Sequence, residues 1–305
     1  MTLSQLRVFR AIVEQGSFRA AARSLSVAQS ALTHAIQTLE AELGVPLLTR
    51  SHLGIGLTPF GEKLLVRASS ILKDCERIDQ DMRQLEGEPS GEIALGVTSE
   101  PLAELLLPVL KRYMEMFPRV HVHVSNGSSQ ALIEKIRDGR LDFVLCPLAP
   151  EVVDVDLSID RLYRSTAAII ARAGHPKAHA TSIAELVDCE WVGIRREGIV
   201  GGAANRLVSM FDAQGLGAPR VAVTAETLLE SLHFVCATDY LTMEPRVLVD
   251  LALFSGSLIT IPIRETFNPR DVCLIRRSHA PLTSVAQELS SMLMSYSRLK
   301  HGMTH

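Results

Sequence analysis

Apolar positions near the start of the chain recur at helical spacing. Leu3, Leu6, Phe9, Ala11, Ile12 and Val13 form one stripe, with Ser4 or Thr2 placed to cap the helix. Gly16 ends it, and Ser17 can cap a second helix over 18–25, where Ala20, Ala21 and Ala22 let a neighbouring helix approach closely. After a tight break at 24–27, a third helix runs from about 28 to 43, with Ala31, Leu32, Ala35, Ile36, Leu39 and Leu43 facing inward. A short helix, a tight turn and a longer helix make a helix-turn-helix. Leu47-Leu48-Thr49-Arg50 and Gly56-Leu57-Thr58 then read as two short strands, with a wing loop at 51–55.

The period changes twice more. Leu64, Ala68, Ile71, Cys75, Ile78, Met82 and Leu85 alternate steps of four and three, the signature of a heptad seam that wants a partner helix. Gly87 and Pro89 break it, and 86–91 reads as a hinge. Beyond lie alternating strands and helices: strands at 92–97, 120–125 and 143–147, helices at 102–116 and 130–138. A second unit begins near Arg161, with strands at 167–171, 191–194, 220–224 and 257–262 and helices at 182–186, 203–214 and 228–236. A strand at 271–276 and a helix at 284–299 return to the first unit. This alternation predicts an α/β domain with a mostly parallel sheet and helices on both faces.

Composition narrows the function. The chain has 305 residues, of which 47% are apolar, enough for a head and a larger domain. Net charge is −3, so any attraction to nucleic acid is local. The head supplies it: Arg7, Arg10, Arg19, Arg23 and Arg50 stand against only Glu14, Glu40 and Glu42. The five cysteines lack CxxC spacing, which argues against a zinc ribbon or a disulfide framework. With no leader and no spanning run, a cytoplasmic protein is expected. No catalytic triad order, nucleophile elbow or phosphate loop stands out, and Gly198 to Gly202 fits no phosphate fingerprint, so no enzyme, catalytic residue or cofactor is expected. His121 and His123 share a strand face, but nothing is placed to complete a metal site, and none is expected.

The exposed side of the third helix suits DNA. Gln29, Ser30, Thr33 and His34 in its first turn offer amide, hydroxyl and imidazole groups to base edges, and a helix N-terminus favours a phosphate. Arg50 would lie near a backbone phosphate, with His52 in the wing. The run Phe18-Arg19-Ala20-Ala21-Ala22-Arg23-Ser24-Leu25, then Gln29-Ser30-Ala31-Leu32-Thr33, then Leu39-Glu40-Ala41-Glu42-Leu43-Gly44-Val45-Pro46-Leu47-Leu48-Thr49-Arg50, then Leu57-Thr58-Pro59-Phe60-Gly61 resembles the LysR-type transcriptional regulators. The family usually has Pro at Ser30, Ser at Thr33 and Phe at Leu48, and a wing richer in Arg or Lys than Ser51-His52-Leu53.

The resemblance implies a winged helix-turn-helix over 1–58, a dimerising linker helix over 59–88 and a two-lobed, periplasmic-binding-protein-like effector domain over 91–305. Lobe I would take 91–161 and 267–305, and lobe II 162–266. It also implies a homotetramer built as a dimer of dimers, double-stranded promoter DNA and RNA polymerase as partners, and an effector in a cleft at the carboxyl ends of strands. A transport-type solute-binding protein would share that fold, but would need an export signal and would lack the head. Thr98, Ser99 and Glu100 follow the first strand, and Ser128 and Ser129 follow the next; hydroxyls beside helix N-termini make a carboxylate cradle. Arg195 and Arg196 could pair with an anion from the second lobe. Phe267 lies in the crossover between lobes. Cys146, ending a strand near the cleft, is a further candidate effector-site residue; of a redox-active thiol and a buried structural one, the structural thiol is the simpler reading. A small organic acid is the expected ligand.

Overall fold

The computed structural model describes residues 1–51, 54–84, 89–148, 154–194, 203–267 and 269–302. The chain divides into two compact units: Met1–Gly91 with Lys135–Leu141, and Glu92–Glu134 with Asp142–His305.

The first unit opens with α1 (Leu3–Gln15), α2 (Phe18–Ser24) and α3 (Gln29–Leu43). Thr2 caps α1 in a reciprocal box with Gln5, whose Oε1 accepts the Thr2 N–H at 2.7 Å. Gly16 closes α1 at φ 67°, and the Ser17 hydroxyl accepts the Ala20 N–H. Phe9, Ile12, Ala21, Leu32, Ile36, Leu39 and Leu47 form the core. Leu3, Ala31 and Leu43, expected inside, are exposed; they lie at the margins of their helical stripes. Strands β1 (Leu48–Ser51) and β2 (Gly54–Leu57) pair in register from Leu48↔Leu57 to Ser51↔Gly54, so they take up most of the expected wing loop. Glu40 Oε1 accepts the Leu47 N–H at 2.7 Å and ties α3 to this hairpin.

Helix α4 (Pro59–Gln84) follows, with the Thr58 hydroxyl donating to the Pro46 carbonyl at 2.7 Å and accepting from the Gly61 N–H at 3.0 Å. A Cβ on Gly61 would stand 2.1 Å from the Leu47 carbonyl oxygen, so only glycine fits. The heptad seam is divided in space. Leu64 and Ala68 pack with Leu72 on Leu6 of α1, so that part of the stripe is spent inside the chain. Ile71, Ile78 and Met82 remain open, at 41%, 59% and 56% exposure. Leu85 lies outside the described residues.

In the second unit a five-stranded sheet has the order β4-β3-β5-β12-β6. Its strands are β3 (Gly91–Val97), β4 (Val120–Asn126), β5 (Phe143–Leu148), β6 (Leu157–Ser165) and β12 (Arg270–Arg277). β3 and β5 are parallel, but β12 runs antiparallel to both β5 and β6. The expectation of a mostly parallel sheet therefore gives way to a mixed one, because β12 returns from the second lobe and inserts between strands of the first. β6 stays in this sheet as far as Ser165, opposite Arg270, so the lobe-I chain continues beyond the expected boundary at 161. Its burial does not alternate and its register slips at Val272/Cys273, which is why no strand period was visible there.

The helix after β3 is continuous but irregular: α5 (Ser99–Pro101), a π-helical turn (Leu102–Leu106), then α6 (Leu107–Met116). Pro108 has no N–H to offer the Glu104 carbonyl four residues back, and that oxygen accepts from Lys300 Nζ at 3.4 Å. α7 (Ser129–Arg137) follows β4, and α10 (Ser284–His301) packs on the first lobe, where Tyr113 donates to the Val285 carbonyl at 2.8 Å.

The second lobe holds β7 (Ala167–Arg172), β8 (Glu190–Ile194), α8 (Ala203–Ala213), β9 (Arg220–Ala225), α9 (Leu228–Ala237), β10 (Thr242–Pro245) and β11 (Leu258–Ile261). β7 is flanked by β10 and β11, both antiparallel, while β8 and β9 are parallel. Trp191 and Phe211 meet edge-on in its core, at 5.8 Å between ring centres. Among the described residues no helix is long and apolar enough to cross a membrane.

Candidate functional site

Two surfaces collect the residues with recognisable chemistry. On the first unit, α3 begins after Ala28, which brings no side-chain acceptor to the helix start. The Ala31 N–H donates to the Ala28 carbonyl at 3.1 Å, while the Gln29 and Ser30 N–H groups can meet an outside acceptor such as a phosphate. Gln29 and Ser30 are exposed on that turn and His34 on the next. Thr33 is half-buried, and its hydroxyl donates to the Gln29 carbonyl at 3.1 Å, leaving its lone pairs to accept. Arg7, Arg19 and Arg23 are exposed, whereas Arg10 is engaged by Glu76 at 3.2 Å and Glu14 at 3.7 Å. Arg50 sits on β1 opposite Ile55, and His52 lies outside the described residues.

In the second unit the carboxyl ends of β3 and β5 bring several expected residues together. The Thr98 N–H donates to the Leu145 carbonyl at 3.1 Å. Thr98 precedes α5 without capping it, and its Oγ1 is buried with no hydrogen-bond partner among the described residues. Ser99 beside it is half-buried. Ser128 caps α7 by accepting the Ala131 N–H at 3.2 Å, and the Ser129 hydroxyl donates to the Pro147 carbonyl at 3.0 Å. Cys146 lies beside Ser129 but is completely buried.

Glu100 departs from this group. It turns to the first crossover, where Ser165 Oγ donates to its Oε2 at 2.6 Å. Burial pushes its carboxyl up to about 7; Ser165 and Arg206 oppose the shift, and Glu104 and Glu244 add to it. Arg206 comes from α8 and the buried Glu244 from β10, so the cluster joins both lobes. Glu104 is paired with Lys300 at 2.9 Å, and His301 stands 3.5 Å away with its ring stacked on Tyr163 at 4.4 Å. Burial pushes His301 down, with Glu104 opposing and Lys300 reinforcing. The sequence carries no local sign of this cluster beyond Glu100, because its members come from separate elements.

Phe267 lies on the second-lobe side of the crossover. It packs half-buried on the second-lobe core and lines a cavity of about 430 Å³ with Arg206, Met210, Arg264 and Glu265. Arg195 and Arg196 lie outside the described residues. The arrangement at the strand ends suits holding a small molecule through hydroxyls and helix-start N–H groups.

Residues 3–62 match the family model described as "Bacterial regulatory helix-turn-helix protein, lysR family", and residues 86–298 match "LysR substrate binding domain". The transcriptional regulator TdcA of Escherichia coli is 25% identical over 292 residues, covering 96% of this chain and 92% of its own length. The regulator GbpR of Azospirillum brasilense is 26% identical over 304 residues, covering 98% of this chain and 88% of its own. Among solved structures, full-length CbnR in complex with its target DNA superposes with a TM-score of 0.71 at 21% identity, covering 97% of this chain and all (100%) of that one. A full-length OxyR variant from Pseudomonas aeruginosa gives 0.69 at 21% identity, covering 98% of this chain and 95% of that one. A winged head with an open recognition helix, followed by a two-lobed domain and matched by both family models, makes this chain a DNA-binding transcriptional regulator of the LysR family.

Proposed function

We propose that this regulator reads a specific operator and is controlled by a small organic acid held between the lobes of its effector domain. Gln29, Ser30, Thr33 and His34 face the major groove in this reading, with Arg50 and His52 at the backbone. Thr98, Ser99, Ser128 and Ser129 cradle the effector from the first lobe, Arg195 and Arg196 approach from the second, and Glu100 and Phe267 set the crossovers on either side. Residues 1–58 form the head, 59–88 the linker and 91–305 the sensor. The working assembly is a dimer of dimers in the cytoplasm, with RNA polymerase as a further partner.

The observation that carries the effector reading is the Thr98 hydroxyl, buried beside a helix start and without a partner among the described residues. An unmatched buried hydroxyl costs roughly 1–3 kcal/mol, a cost that a ligand acceptor or donor would recover. The neighbouring Glu100 carboxyl, raised to about 7 by burial, carries only part of its charge at neutral pH and so opposes an anion less than an ordinary glutamate would.

A thermal-shift screen of small carboxylic acids, amines and neutral analogues on the full chain tests this, because a true effector stabilises the fold by mass action. An acid that raises the midpoint and alters a promoter mobility shift supports the reading. Stabilisation by amines alone, or by no acid in the panel, overturns the organic-acid assignment.

A further inference from the structure

The antiparallel pairing of β5 and β12 places two cysteines side by side. In that register Cys273 stands directly opposite Cys146, between the pairs Val272↔Pro147 and Leu274↔Leu145. Directly opposed residues of an antiparallel pair project to the same face. Leu145 and Leu274 both belong to the core built with α6 and α10, so Cys146 and Cys273 share the other face. Both are free thiols, at 0% and 2% exposure. Opposed Cα atoms lie roughly 4.5–5.5 Å apart, inside the range of about 4.4–6.8 Å that a disulfide spans. Cβ atoms of such pairs, at about 4.5–5.5 Å, need to close by no more than roughly an ångström. The other cysteines stand on other elements: Cys75 on α4, Cys189 just before β8 and Cys236 on α9.

We propose that Cys146 and Cys273 are a redox-modification site, forming a reversible intrachain disulfide when the protein is exposed to a hydroperoxide. Cys273 is the attacking sulfur. Its Sγ donates to the Asp271 carbonyl oxygen at 3.5 Å, a bond that holds the neutral thiol and must break before the thiolate attacks. Asp271 also pairs at 3.4 Å with Arg161, a largely exposed side chain, which makes Cys273 the sulfur nearer the surface of two buried ones. Cys146, deeper and beside Ser129, is the resolving sulfur.

The Cys273 thiolate attacks one peroxide oxygen; an S–O bond forms, the O–O bond breaks, and the alkoxide leaves as an alcohol with the thiol's proton. The Cys146 sulfur then attacks the sulfenic sulfur; the S–S bond forms, the S–O bond breaks, and hydroxide leaves as water with the second thiol's proton. Two thiols are oxidised by two electrons and one hydroperoxide is reduced.

Burial dictates the tempo. It pushes Cys273 up to about 11, with Asp271 and Asp160 adding and Arg161 opposing. It pushes Cys146 up to about 12, with the Ser129 hydroxyl opposing and Cys273 adding. Only the thiolate is nucleophilic, so both sulfurs are quiet at neutral pH. The site therefore registers sustained exposure rather than a brief pulse. Once formed, the bond ties β5 to the strand that returns from the second lobe, one residue from the Pro147 carbonyl that receives Ser129. Any effect on effector response rests on the cleft reading above; formation of the bond does not.

The test incubates the reduced full-length protein with hydrogen peroxide for hours at pH 7 and pH 9. Remaining thiols are alkylated under denaturing conditions, and digests are compared by mass spectrometry with and without dithiothreitol. A linked peptide pair carrying Cys146 and Cys273 is expected, lost on reduction and forming at least about tenfold faster at pH 9. It persists in Cys75→Ser and is absent from Cys146→Ala and Cys273→Ala. Recovery of the two cysteines separately alkylated, as unpaired higher oxides, or linked to other cysteines overturns the proposal. Because wild-type protein gives that answer, it does not depend on either alanine variant folding.

Discussion

Glu100 makes the stability of the fold depend on pH. Its carboxyl stands at about 7 in the folded protein against 4.5 for an ordinary glutamate, chiefly because it is buried. The folded chain thus holds a proton that the unfolded chain releases. The stability contributed is full below about 4.5 and is lost as pH rises through about 7. Glu100→Gln keeps the shape and removes the titration, so above pH 7 the variant is expected to be more stable than wild type by roughly 1–3 kcal/mol. Urea unfolding at pH 5, 6, 7 and 8 measures it; parallel profiles for the two proteins would show that Glu100 is ionised in the fold. Thr98 makes a second residue-level prediction. Thr98→Val removes a hydroxyl that has no partner among the described residues, so apo stability should hold or rise by up to about 1 kcal/mol. Affinity for an effector identified by screening should fall roughly tenfold or more. Calorimetry with unchanged affinity would exclude Thr98 from the ligand site.

The helices α3 and α4 put different parts of one surface to different uses. On α3, Gln29 is exposed in the first turn while Leu32 and Ile36 anchor the helix. Gln29→Ala should cost roughly 1–3 kcal/mol at the cognate operator and little on random DNA. Equal losses on both would show that it reads no base. On α4, Leu72 is buried on α1 whereas Ile71 and Ile78 face outward. Leu72→Ala should therefore destabilise the head by about 2–4 kcal/mol. Ile71→Asp with Ile78→Asp should leave the head folded but separate the protomers, read as a smaller species in sedimentation. Unchanged assembly in the double variant would mean that the outer stripe has no helix partner. A steady heptad is thus a statement about a helix surface and not about its partner, since α1 claims some seam positions and leaves others.

For the whole molecule, control of DNA binding requires that the effector distinguish two states of the protein. Its affinity must then change by the same factor when operator DNA is present as operator affinity changes when effector is present. Titrating effector with and without operator, and operator with and without effector, should give matching ratios. An effector bound equally tightly in both titrations would regulate nothing through equilibrium binding. Net charge of −3 and the exposed Arg7, Arg19 and Arg23 on the head make DNA attraction local, so affinity should fall steeply with salt.

Much of this organisation follows from the sequence by itself. Thr2, Gly16 and Ser17 mark helix ends because capping is settled within a few residues. The head, the linker and the alternation of strands and helices are legible because apolar spacing is a local property. Tertiary structure alone decided the rest. It placed β12 antiparallel between β5 and β6, it brought Glu100 to Ser165 across 65 positions, and it set Cys273 opposite Cys146. It also divided the α4 stripe between α1 and the outside. Neighbours of this kind are chosen by how the chain returns on itself. Burial, ionisation and thiol pairing depend on those neighbours, and no local pattern encodes them.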